Sequence, residues 1–252
     1  MISAIRFTWL RLKRSKRLVG AAAAILLVVV LTTFGRYASP TALPVDTLFN
    51  TISNSVFGLL TYLVSLLLFP PIIAEEVERG TWALINTRAV GRIPLLISKF
   101  ALTTAAAAAL LCIGVLLLHI GMLATLPTAF VQQLVPVLRS NIALVLLVTA
   151  YGAIGTAWSV WFPKNAALGL GIYFVLIEWG LSLLTGTHRW LSLNAHARSL
   201  ASFPTTELTD PNLHIDPTVS AVFLLLATIV AIGLACLGIQ SRQYTRAENA
   251  TE

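Results

Sequence analysis

The chain has 252 residues, of which 57% are hydrophobic and only 11% charged, with a net charge of +7. A soluble domain carries about 25% charged residues, so too little polar surface is present to cover a water-exposed globule, and the composition implies a membrane protein. The positive charge does not imply a nucleic-acid partner, because the basic residues sit at the ends of apolar runs, and the two cysteines, Cys112 and Cys236, fall inside such runs with no CxxC pair or disulfide framework.

The first segment, residues 1–17, places Ile2, Ile5, Trp9 and Leu12 at helical spacing with basic residues between them. That pattern predicts an amphipathic helix along the inner leaflet, with lipid as its partner. A plain positive-inside topology signal would read the same way. The apolar run that follows begins only at Leu18 and leads to no convincing small-residue cleavage site, so a retained span is expected there.

A helix needs roughly 20 mostly apolar residues to cross a bilayer. Six stretches qualify, near residues 18–34, 52–73, 95–123, 138–162, 166–185 and 219–239. Lipid offers no partner for backbone N–H and C=O groups, so each is expected to be helical. The predicted fold is an all-α polytopic membrane protein, a single domain over 1–252. With the N-terminus cytoplasmic, thirteen basic residues lie inside and only Arg36, Arg139, Arg189 and Arg198 outside. The charge rule therefore predicts a plasma-membrane protein with both termini cytoplasmic. Pro70 and Pro71 are expected to kink or end the second span.

Between the second and third spans lies the segment 74–94, AEEVERGTWALINTRAVGRIP, charged and helix-prone between two apolar runs. Gly80 can turn the chain, Thr81 is a candidate N-cap, and Trp82, Ile85 and Ala89 share a face with Leu84 adjacent. Gly91 ends the pattern, and Pro94 suits the first turn of the third span. The spacing predicts a short amphipathic cytoplasmic helix whose Trp82 and Ile85 must dock on something.

Further along, Glu178 is the only acid well inside a predicted span. An intramembrane carboxylate is expensive, and it serves either a functional site or a structural one. Small-residue ladders (Gly152 with Thr156, Ala153 with Ala157, Gly155 with Ser159, Ala231 with Ala235) permit close helix contact, within the chain or at a dimer seam. The outer segment, 186–217, is expected to hold a short amphipathic helix with Trp190, Leu193 and Leu200 roughly on one side. Its histidines His188, His196 and His214 match no metal spacing and read as polar loop residues. His119 reads as an interfacial side chain. No catalytic constellation appears.

The run from Glu75 to Phe100 resembles the signature of the type-2 ABC exporter permeases. That signature has an acid below span two, a Glu-Arg-Gly-Thr element, a Leu-rich short helix, a Thr-Arg-Pro or Thr-Pro step, a small residue with Arg, and a Lys inside span three. Here Glu75, Glu78, Arg79, Gly80, Thr81, Leu84, Thr87, Arg88, Arg92 and Lys99 appear in that order, with Ala89 where the family often has proline. The resemblance implies that the short helix is a coupling helix seated on a separate P-loop ATPase. Glu75, Glu78, Arg79, Gly80, Thr81, Trp82, Leu84, Ile85, Arg88 and Arg92 would form that interface. It also implies two ATPase copies, a second permease subunit (identical or related), and ATP and Mg held by the partner. The chain has no G-x-x-x-x-G-K-[ST] loop of its own, no metal site and no cofactor is expected in it, and the transported substrate would be lipid, drug or peptide-like. Two other readings are a secondary transporter using Glu178 as its ion site and a non-transporting scaffold or immunity protein.

Overall fold

The computed structural model describes residues 15–38, 56, 59–78, 91–180, 190–201 and 215–242, and among these every regular element is helical. In chain order they are α1 (Lys16–Ala38), α2 (Thr61–Leu68), α3 (Pro71–Glu78), α4 (Arg92–Leu123), α5 (Pro127–Gln132), α6 (Leu134–Trp161), α7 (Ala166–Tyr173), α8 (Leu193–Ala201) and α9 (Pro217–Ser241). A π-helical stretch, Phe174–Trp179, continues α7.

Four of these helices, α1, α4, α6 and α9, are long and apolar enough to cross a membrane. They coincide with four of the predicted spans. The other two predicted spans take a different form. The second is broken at Phe69–Pro70 into α2 and α3. The break has a simple cause: Pro71 has no N–H to give to a preceding turn, and its ring excludes helical continuation. The fifth is α7 with its π-helical extension, and its predicted continuation through 181–185 lies outside the described residues, as does the predicted interfacial helix up to residue 14.

The bundle is organised around α6, which packs against α2, α3, α4, α5, α7, α8 and α9, most extensively against α9. Its sequence explains this position. Ala150, Gly152, Ala153, Gly155, Thr156 and Ser159 are all buried small residues, and between helices in lipid it is close packing, not apolar burial, that holds contacts together. A Cβ on Gly152 would stand 2.3 Å from the Phe69 ring, and one on Gly155 would stand 2.9 Å from Phe69 Cβ and 3.1 Å from Leu170. These ladders thus pack within the chain. Gly238 of α9 meets Trp161 in the same way, and the Trp161 indole N–H donates to the Leu234 carbonyl oxygen at 3.0 Å. By contrast α1 buries only Ala21 and Ile25, and its many exposed apolar side chains, such as Leu26, Leu27 and Val30, suit a lipid-facing surface.

Candidate coupling face and intramembrane polar site

The helix that leads into the predicted coupling segment is α3, and its short sequence is fastened on three sides. The first-turn N–H groups of Ile73 and Ala74 both donate to Ser159 Oγ of α6, each at 3.0 Å. Helix starts leave such donors without intrahelical partners; here a side chain of another helix supplies the cap. Lys99 of α4 forms a buried ion pair with Glu76 and donates to the Ile72 carbonyl oxygen at 3.3 Å. Arg17 of α1 lies 3.8 Å from Glu75, a partly exposed pair that contributes little by itself. Glu78 ends the helix exposed.

Arg79, Gly80, Thr81, Trp82, Leu84, Ile85 and Arg88 lie outside the described residues. The chain resumes at Gly91, which N-caps α4 in extended conformation. Arg92 then turns across to α9, where its guanidinium donates to the carbonyl oxygens of Ile239 and Arg242, both at 3.3 Å. A cation on unsatisfied carbonyls at a helix C-terminus is favourable for both the hydrogen bonds and the helix dipole. Arg242 in turn stacks over Trp161, 5.5 Å from the ring centroid. Of the predicted interface residues that are described, Glu75 and Arg92 are therefore engaged within the chain, and Glu78 faces outward.

The second polar site is Glu178, which is buried in the π-helical stretch. Its carboxylate accepts four hydrogen bonds: from Ser192 Oγ at 2.6 Å, Leu193 N at 3.0 Å, Asn194 N at 3.2 Å and Tyr173 OH at 3.0 Å. Leu193 and Asn194 are the first two residues of α8. The third, Ala195, donates its N–H to Ser192 Oγ at 3.2 Å. Glu178 thus completes the cap of α8 from another helix. Glu178, Ser192 and Leu193 are all buried, so the acceptor for these helix-start donors comes from the protein.

The face that the predicted outer helix buries differs from expectation. The buried residues of α8 are Leu193, His196, Ala197 and Ala201, while Trp190 is substantially exposed. His196 is not a loop residue. Its ring stacks on Phe223, Nε2 lies 2.8 Å from the Trp190 carbonyl oxygen, and Nδ1 lies 3.2 Å from Ser220 Oγ. A carbonyl only accepts, so Nε2 carries the proton and Nδ1 accepts from the Ser220 hydroxyl. Burial pushes the His196 pKa below the ordinary histidine value. The group is neutral in the folded state and binds protons more readily when exposed. Its contribution to stability is intact above an unfolded pKa of about 6.5 and is lost as pH falls from there through the folded value. Amide hydrogen exchange across Leu193–Ala201 should accordingly speed up on acidification from neutrality, and His196→Gln should flatten that dependence.

The sequence pattern missed Ser159, the Glu76–Lys99 pairing and the burial of His196. His188 and His214 lie outside the described residues. His119 is buried, with its ring 4.6 Å from that of Phe130. Among the described residues no group of His, Cys, Asp and Glu is placed to hold a metal, and both cysteines are unbridged.

Long apolar helices around a small-residue hub define a multi-pass membrane protein. The family model described as ABC-2 family transporter protein matches residues 4–179, most of the chain and all of the 74–94 segment, and the chain belongs to that family. No curated protein matches it. The chain is thus a membrane component of an ABC-2 transporter, a family whose permeases generally pair with ATPase subunits.

Proposed function

We propose that this chain is the permease subunit of an ATP-driven exporter, one membrane domain of six spans with an inner-leaflet helix over 1–17 and an outer segment over 186–217. A separate P-loop ATPase, in two copies holding ATP and Mg, acts on the cytoplasmic loop 74–94, and a second permease subunit, identical or related, completes the assembly. The observation that carries this reading is the mooring of the loop: α3 is clamped to α4 and α6 before it, and Arg92 is bound to the end of α9 after it. A loop so held transmits displacement from a docked protein instead of absorbing it. Trp82, Leu84 and Ile85 are its apolar anchors. Glu78, Arg79 and Arg88 supply charge toward the docked subunit, while Glu75 and Arg92 tie the two ends of the loop to the bundle. The substrate class is lipid, drug or peptide-like, in keeping with a sparsely charged membrane domain.

An ion-gradient mechanism through Glu178 fits less well, because four donors already occupy that carboxylate. The test is to purify the complex from detergent and identify its partners by mass. A P-loop ATPase should co-purify with the chain. Trp82→Ala or Glu78→Arg should weaken that association, or leave ATP hydrolysis running without flux of a lipid, dye or peptide probe. Unchanged association and flux in both variants would refute the assignment.

A further inference from the structure

We propose that Phe69, Gly152 and Ser159 form the joint through which movement of the cytoplasmic loop enters the bundle, making them positioning residues for transport. The inference rests on the reading of 74–94 as a coupling element. Its starting point is the helix break. Across Phe69–Pro70 the backbone ladder between α2 and α3 is reduced to single bonds, Phe69 N to the Ser65 oxygen and Ile72 N to the Phe69 oxygen, both at 3.1 Å. The next two donors, of Ile73 and Ala74, leave the chain's own helix and go to Ser159. Where α3 takes its orientation is therefore α6, not the span that precedes it.

The contact has the form of a knuckle in a notch. Gly152, Gly155 and Ser159 follow one another at spacings of three and four, which sets them on one face of α6. Phe69, fully buried, fills the space that the two missing side chains leave. Immediately below it, Ser159 holds the start of α3. The Glu76–Lys99 pair bears on α3 from a different direction, through α4, so that a displacement of α3 is carried into both helices. Because α6 packs against α2, α4, α7, α8 and α9, displacing α3 in the notch repositions α6 against all of them. Close-packed interfaces shift between discrete arrangements and do not deform smoothly, which is what a transmitted two-state motion requires.

The experiment uses the full permease–ATPase complex in nanodiscs, with Cys112→Ser and Cys236→Ser and spin labels at Val30→Cys and Ile142→Cys, both lipid-facing positions on α1 and α6. The readout is the change in interlabel distance on adding ATP with vanadate, alongside co-purification and hydrolysis by the ATPase. We expect a distance change in this labelled parent. Ser159→Ala and Gly152→Ala should each lose it while the ATPase still binds and turns over. Phe69→Leu should restore it in the Gly152→Ala background, a rescue that a general loss of stability would not show. Should Gly152→Ala fail to fold, Ser159→Ala, which removes one hydroxyl and adds no volume, decides the matter. A distance change of parental size in Ser159→Ala overturns the joint, as does a parent that binds and hydrolyses without any distance change; both leave the coupling reading standing. If no ATPase co-purifies with the parent, the coupling reading falls and the joint with it.

Discussion

Lys99→Met is expected to destabilise the chain by about 3–5 kcal/mol, read from the midpoint of an SDS titration in mixed micelles, because it strands Glu76 as an uncompensated buried charge. Both partners are almost wholly enclosed, with Lys99 6% and Glu76 3% exposed. Lys99 lies seven residues into α4, roughly 10 Å from its start at Arg92, too far within the helix for the carboxylate of Glu76 to be screened by solvent. Glu76→Gln should be damaging for the mirror-image reason, leaving an ammonium with only the Ile72 carbonyl as partner. The double variant Lys99→Met with Glu76→Gln should recover most of the loss, since removing both charges is often near neutral. Additive losses in the double variant would show that the two charges do not act as a pair.

Glu178→Ala should release α8. It removes the acceptor for two backbone N–H groups and two hydroxyls at once. Each buried donor left unpaired costs about 1–3 kcal/mol, so the local stability of α8 should fall by several kcal/mol even after partial rearrangement. Hydrogen exchange of the amides from Leu193 to Ala201 should rise by orders of magnitude, while those of α6 change little. Glu178→Gln keeps one acceptor oxygen and should sit between the two. If exchange in α8 were unaffected by Glu178→Ala, the carboxylate would not be holding that helix, and an ion-binding role would regain its footing.

How far the sequence reaches can be seen helix by helix. The expected span at 95–123 and the observed α4, Arg92–Leu123, differ by three residues at one end, because the demand that lipid places on the backbone leaves a long apolar run only one conformation. The break at Phe69–Pro70 was equally legible, since proline acts locally. What acts at a distance was not. Ser159 reads as one more small residue in a ladder until α3 is seen to lack an acceptor. Glu76 and Lys99 read as topology charges, with nothing in either local pattern to pair them. Glu178 announced itself as an expensive residue, but which group it served depended on where the 186–217 segment turned back. His196 reads as a loop residue because its polarity suggests water, whereas the Trp190 carbonyl and the Ser220 hydroxyl hold its two ring nitrogens and Phe223 covers its face.

The capping of α3 by a hydroxyl 86 positions further along the chain has a consequence for biogenesis. When the ribosome has delivered α2, α3 and α4 to the translocon, α3 has two backbone donors without acceptors, and the groove for Phe69 has not been synthesised. The early helices must wait in a provisional arrangement, and α3 acquires its finished setting only when α6 arrives.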